Sequence, residues 1–404
     1  MEIRTVRSPE ELRQGVGVIT HYFGREKPTE EWAERWLKNF ELERMHCAVE
    51  DGAIVGGAGA FSFRTTVPGG ASVPCAGITV VGVQPTHRRR GILRSMMRAQ
   101  LDDAHERGEL IATLFASEET IYGRFGYGLA SLNWAVEIPK AQNAFRPGFE
   151  VAGRVRLVNA DEALRLVPRV YDAVRAVTPG MFKRSESWWE VRILSDLPEW
   201  RFGAGPKNYA VLEVGGEPQA YALYRLSGDF GDLGPESTVR AIEALGATPE
   251  ATASIWRFLL DIDWTKSVSS YMLPVDHPLL LLLARPNHAR PRVGDGLWTR
   301  LVDVGAALSA RTYAADGRVV LEVGDEFCPW NAGRWSVEGG TASRTDADPD
   351  LELDVADLGS VYLGGFTFRD LRRAGRVREL TQGALDRADA TFRTDVAPWC
   401  PEIF

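Results

Sequence analysis

Residues 84–93, Gln-Pro-Thr-His-Arg-Arg-Arg-Gly-Ile-Leu, set three consecutive arginines against a glycine, directly after the apolar run Ala76 to Val83. A turn that leads from a strand into a helix exposes main-chain N–H groups at the helix start, and these, with the helix dipole, favour a phosphate. Gly91 lets the backbone come close to a ligand, while arginine side chains add charge-assisted contacts to phosphate oxygens. Most charge runs are only solvated loops. This one lies between an apolar strand and an amphipathic helix, as an anion site requires, so the loop is expected to hold a pyrophosphate.

The elements that would position the loop are legible around it. Ser8-Pro9-Glu10-Glu11 and Thr248-Pro249-Glu250 each give a hydroxyl cap, a proline and an acid at a helix start. Thr29 opens another helix, with Trp32, Trp36 and Phe40 four apart on one face. Strands are expected at 46–50, 54–63 and 76–83, then a helix from Ile92 to about Arg107 whose apolar residues keep helical spacing. A strand at 110–116, a short helix at 118–125 capped by Ser117 and stopped by Gly126, and a strand at 131–138 complete a first α+β unit.

Breakers at Asn143, Pro147 and Gly148 mark a linker over 139–153. A second unit follows in similar order, with a helix capped at Asn159 and strands at 209–213 and 219–224, but with no arginine-glycine loop. From about Arg290 the stretches 302–308, 319–323, 335–337 and 351–355 suggest an antiparallel sheet, followed by helices at 368–374 and 377–380. Three domains are expected, 1–145, 146–289 and 290–404, in a chain longer than one core usually serves.

Composition excludes several classes. A formal charge of −8 argues against nucleic acid as a partner and suits a cationic small molecule. Four scattered cysteines without CxxC spacing, and six histidines without an HExxH pair, give no metal site. The sequence has neither a GxSxG elbow nor a Walker loop. The N-terminus lacks the apolar core of a signal peptide, and the longest aliphatic stretch, Leu279 to Ala284, is too short to cross a bilayer; a cytoplasmic protein is expected.

Val81-Gly82-Val83-Gln84-Pro85-Thr86-His87-Arg88-Arg89-Arg90-Gly91-Ile92-Leu93 resembles the acetyl-CoA signature of the GNAT acetyltransferase superfamily. Leu93 stands where that signature has a small residue. This departure, with Ala116-Ser117-Glu118 and Ile121-Tyr122-Gly123-Arg124-Phe125-Gly126-Tyr127-Gly128, resembles one branch, the Eis N-acetyltransferases. The likeness spans the chain. It implies tandem GNAT-like mixed-sheet domains, the second without a working cofactor loop, then a sterol-carrier-like α+β domain, and a homo-hexamer. In the third domain its best motif is Gly359 to Gly365.

The resemblance implies a mechanism as well. Acetyl transfer from a thioester to an amine needs a held acetyl-CoA, a neutral amine, stabilisation of the oxyanion and a proton for the departing thiolate. By resemblance Val81, Gly82 and Val83 hold the pantetheine arm, Arg89, Arg90, Gly91, Ile92, Leu93 and Arg94 surround the pyrophosphate, and Ser117 and Glu118 complete the set, with the N–H near Val81 as oxyanion donor. Tyr122 is the general acid, favoured over Tyr127; as a bare sequence feature it would be a packed core aromatic.

The chain ends Trp399-Cys400-Pro401-Glu402-Ile403-Phe404, apolar where a free tail is usually polar. In the resembled family the terminal carboxylate of a last phenylalanine acts as base, which assigns Phe404. Ile403 stands where the family would have an acid, with Glu402 one place earlier. The acceptor pocket falls to Tyr22, Phe23, Trp32, Trp36 and Val80 with Glu402, and the acceptor to an aminoglycoside amine or a peptide lysine. The rivals are a non-catalytic acyl-CoA or lipid-binding protein and a regulator that uses the arginines on nucleic acid.

Overall fold

Long runs of small and β-branched residues fold as paired strands, and the two longest form the centre of the first sheet. The computed structural model describes every residue except Asp229, Asp232 and Leu233. Strands β1 (Glu2–Thr5), β2 (Met45–Glu50), β3 (Ala53–Thr66), β4 (Ser72–Val83), β5 (Ile111–Phe115) and β6 (Gly128–Leu129) join Leu297–Leu301 in one sheet, in the order β1-β2-β3-β4-β5, Leu297–Leu301, β6. Neighbours are antiparallel except β4 and β5, which pair in parallel over Cys75, Ala76 and Gly77 alone.

Three main helices frame this sheet. Helix α1 (Pro9–Tyr22) starts at Ser8, whose hydroxyl accepts from the Glu11 N–H, and α2 (Glu30–Trp36) starts at Thr29, which accepts from Trp32. Helix α3 (Ile92–Glu106) buries Ile92, Met96, Met97, Leu101 and Ala104. They meet Ala60, Ala76, Ile78 and Ala112 on one side and Ala48, Val55 and Ala58 on the other. Each of the larger side chains, Ile92, Met96, Met97, Leu101, Ile78 and Val55, contributes about 1.5–3 kcal/mol by leaving water, enough in sum to fix the helix on the sheet.

Contacts divide the chain into two compact units: Met1–Ser131 with Gly296–Phe404, and Leu132–Asp295. Two strands cross the divisions expected from the sequence. Leu132–Pro139, placed before residue 145, pairs with Ser267–Pro274 and Arg292–Asp295 in the second unit, and Leu297–Leu301, placed after 290, pairs with β5 in the first. The second unit's seven-stranded sheet runs Arg292–Asp295, Leu132–Pro139, Ser267–Pro274, Thr238–Gly246, Glu217–Ser227, Asn208–Val214, Arg154–Val158. Its long helices, Ala160–Arg175 and Pro249–Asp261, are capped by Asn159 and Thr248.

The C-terminal stretch corrects three expectations. The apolar run 302–308 is not a strand: Asp303 accepts from the Ala306 N–H and starts the helix Val304–Ala310. Val377–Glu379 is a strand rather than a helix. The five-stranded sheet is mixed, because Val319–Gly324 runs parallel to Leu351–Asp354 while the other pairs are antiparallel. Among the described residues no helix is long and apolar enough to cross a membrane.

Candidate active site

The arginine loop leaves β4 through Gln84, whose N–H donates to Val55 O at 2.8 Å and whose side-chain amide donates to Ile54 O at 3.0 Å. A 3-10 turn, Pro85–His87, follows. Arg89 and Gly91 then take left-handed conformations, φ 62° and 79°. Gly91 stands at the start of α3, no side chain caps that helix, and open space lies where a Cβ would be. The first N–H groups of a helix have no intrahelical acceptor, so those of Ile92, Leu93 and Arg94 are left for a ligand. This cradle fits a pyrophosphate.

The three arginines do different work. Arg90 forks onto the Glu50 carboxylate at 2.9 and 2.6 Å, and His87 Nε2 lies 3.2 Å from the same group. Arg90's hydrogen bonds hold the Glu50 carboxyl below its ordinary value. Arg90 therefore ties the loop to β2. Arg88 and Arg89 are exposed and form no ion pair among the described residues. Arg94 lies over the Phe327 ring at 5.1 Å, Ile92 is buried, and Leu93 packs half-buried beside the core.

At this same C-terminal end of β4 the sheet opens. Parallel pairing with β5 stops at Gly77 and Thr113. The β3 ladder passes from Gly82 to Thr79 across a single residue of β3, so Val80 and Val81 form a bulge, with Val80 at φ 47°. That conformation is costly for a β-branched residue. Tyr22 at the end of α1 donates to the Val83 carbonyl at 2.6 Å, so that acceptor, expected to face the pantetheine arm, is engaged.

The last residue of the chain lies beside this opening. Thr79 Oγ1 donates to Phe404 O at 3.0 Å. The Phe404 ring meets Phe63 edge to face at 5.0 Å and Phe115 at 5.6 Å, and only 9% of the residue is exposed. Trp399 and Cys400 are buried just before it; Ile403 is exposed and Glu402 half-buried.

Beyond β5 the chain turns through Ser117 and Glu118, both exposed, into the one-turn helix α4 (Glu119–Tyr122) and a 3-10 turn, Gly123–Phe125. Ser117 was expected to cap this helix. The capping position is in fact Glu118, which makes no side-chain capping bond. Tyr122 is 7% exposed, and burial, aided by Glu118, pushes its phenol up to about 12. The Tyr127 ring lies edge to face with it at 6.0 Å; its hydroxyl is fully enclosed without a hydrogen-bond partner.

An aromatic series connects α2 to the chain terminus. Trp32 stacks on Trp36 at 4.7 Å, Trp36 meets Phe61 at 5.1 Å, Phe61 stacks on Phe63 at 5.4 Å, and Phe63 reaches Phe404. Trp32 and Trp36 keep part of their surface in solvent, and Phe23 is 56% exposed. Thr79, Phe61, Phe63 and Phe115 were missing from the sequence-derived set. Thr79 is the one hydroxyl within 76–83, and Phe61 and Phe63 alternate with Ser62, so both signals were present.

Models of the acetyltransferase (GNAT) domain match residues 2–130 and 180–301, and a sterol carrier protein domain model matches 304–401. An uncharacterized N-acetyltransferase of Streptomyces coelicolor is 42% identical over 100% of both chains. N-acetyltransferase Eis of Mycobacterium tuberculosis is 36% identical over 86% of each chain. The chain belongs to the Eis family of GNAT N-acetyltransferases.

The crystal structure of Eis1 from Mycobacterium abscessus matches with a TM-score of 0.87 at 33% identity, over 100% of both chains. As an Eis-family member the protein is an acyltransferase, with two GNAT domains and a C-terminal sterol carrier domain of mixed sheets and helices. The family and fold implied by the loop motif thus hold for the whole chain. The open helix start, the splayed strands and the buried chain terminus all lie in its first compact unit.

Proposed function

We propose that this protein moves an acetyl group from acetyl-CoA to an amine of a bulky cationic acceptor such as an aminoglycoside, with Tyr122 as general acid and the Phe404 carboxylate as base. Acetyl-CoA supplies the activated thioester. The uncapped N–H groups of α3 and the unpaired Arg88 and Arg89 would take its pyrophosphate. The bulge at Val80 and Val81 turns main-chain groups away from the β3 ladder, which supports the Val81 N–H as oxyanion donor.

Tyr122 keeps its proton on the phenolic oxygen across the pH range where proteins work, as an acid must; a phenol is neutral there already, and burial raises its pKa further. A terminal carboxylate has a reference pKa of about 3.5, so Phe404 would accept the amine's proton through water and orient the nitrogen. Thr79 holds that carboxylate. The aromatic series from Trp32 to Phe404 supports an acceptor that presents apolar or cationic faces. The overall charge of −8 suits a cation too.

One observation carries the reading: the chain terminus is clamped by Thr79 within the opening of the strands that frame the loop. A C-terminal tag or deletion of Phe404 should lower turnover by about 10²–10⁴-fold, the usual worth of a positioned acid or base. Acetyl-CoA binding measured by calorimetry should persist. Full turnover in tagged protein, followed as free thiol release over a panel of amines, would refute the assignment.

A further inference from the structure

Helix α4 is too short to hold itself. It has four residues and no side-chain cap, and the 3-10 turn after it ends at the left-handed Gly126. One turn of helix is unfavourable in isolation, so tertiary contacts must set where Tyr122 points. One of them comes from far along the chain.

Arg300, on the strand Leu297–Leu301, is fully buried. Its Nη1 donates to the Phe125 carbonyl at 2.6 Å and its Nη2 to Asp325 Oδ2 at 2.6 Å. Asp325 is fixed in turn: Oδ1 accepts from the Phe327 N–H at 3.1 Å and the Cys328 N–H at 2.8 Å, and Oδ2 also accepts from Asn331 Nδ2 at 3.1 Å. The guanidinium nitrogen lies 1.5 Å from where a Cβ on Gly126 would stand, so only glycine lets the arginine reach that carbonyl. The same turn places Phe327 against Phe125 at 5.0 Å and under Arg98 at 4.1 Å and Arg94 at 5.1 Å.

We infer that Arg300, held by Asp325, is a positioning residue for the segment that carries Tyr122, and that the turn Asp325–Asn331 braces the acid and the start of α3 against each other. The inference rests on Tyr122 as the acid. A buried ion pair is often replaceable by apolar residues without loss of stability, so stability alone does not account for this one. Only one fork of the arginine meets the carboxylate. The other goes to the buried carbonyl of Phe125, three residues after Tyr122, so the bond that satisfies this carbonyl also fixes the turn that carries the phenol.

A double-mutant cycle on kcat separates the roles. Arg300→Lys keeps a cation for Asp325 but cannot span both partners. It should lower kcat by about tenfold to a hundredfold, the scale of a small misplacement of a reacting group, with KM for acetyl-CoA within about twofold. In a Tyr122→Phe background the same change should cost less than about twofold, since there is no acid left to misplace. An equal cost in both backgrounds would mean a structural role only and overturn the inference. If Tyr122→Phe by itself leaves kcat unchanged, the acid assignment fails instead.

Should Arg300→Lys not fold, Phe327→Leu replaces it in the cycle. That change removes the ring contact with Phe125 and the support under Arg94 without stranding a buried charge. Its cost in kcat should likewise all but vanish in the Tyr122→Phe background, and KM for acetyl-CoA should rise. Additive costs, with KM unmoved, would again sink the brace.

Discussion

The two units of this protein build the same strand-to-helix junction in opposite ways. In the first, eight residues, Gln84 to Gly91, separate β4 from α3, and the helix opens on an uncapped glycine with free space around it. In the second, Ala247 and Thr248 alone separate Thr238–Gly246 from the helix Pro249–Asp261. There Thr248 Oγ1 accepts from the Ala251 N–H at 3.1 Å and Pro249 removes another donor. One helix start is left wanting an anion; the other satisfies itself.

The strands beside each junction differ in the same sense. Both central strands carry a register shift, between Gly57 and Gly59 in the first unit and at Leu223 and Tyr224 in the second. Beyond the shift the first unit holds the chain terminus. In the second, Glu243 forks onto the buried Arg184 at 2.9 and 2.6 Å and accepts from the Tyr221 hydroxyl, with Tyr171 and Trp189 against the guanidinium. A junction without an open helix end has been closed with a buried ion pair. This favours acetyl-CoA binding in the first unit alone.

The most damaging change to that contrast should be Gly91→Val. A branched residue in the left-handed region costs about 1–2 kcal/mol and crowds the N–H groups of α3. Acetyl-CoA affinity should fall by about a hundredfold, or about 2.7 kcal/mol, by calorimetry, with the fold retained by circular dichroism. Unchanged affinity would show that the uncapped helix start is not the binding site.

Next in size come the arginines. Arg88→Ala with Arg89→Ala removes the two unpaired cations and should weaken acetyl-CoA binding by roughly tenfold, with a shallower salt dependence than the parent. Arg90→Ala should do less, because Arg90 already spends its charge on Glu50. If Arg90→Ala proved the most harmful of the three, the division of labour drawn from the ion pair would be wrong.

How far the sequence foretold this depends on the range of the interaction. The capping residues Ser8, Thr29, Asn159 and Thr248 act over three residues and were all legible. So was the arginine loop, whose signal is local. Sheet membership was not: Leu132–Pro139 and Leu297–Leu301 carry strand patterns, but a pattern names no partner, and each pairs across the expected division. The run 302–308 is a short apolar stretch that periodicity alone does not assign to strand or helix, and Asp303, capping Val304–Ala310, decided for helix. The Arg300 fork onto Phe125 and Asp325 joins residues 175 and 25 positions apart, beyond any spacing rule.

The smallest effect should come from the closed junction, and it tests the comparison from the other side. Thr248→Val removes the side-chain oxygen that accepts from Ala251. Loss of such a cap costs about 1 kcal/mol, which in a unit of this size lowers the melting temperature by about 2–4 °C. KM for acetyl-CoA should stay within about twofold of the parent, because the cap serves only its own helix. A rise in KM as large as that of Gly91→Val would mean that the second helix start also serves the coenzyme, and the asymmetry between the two junctions would lose its functional meaning.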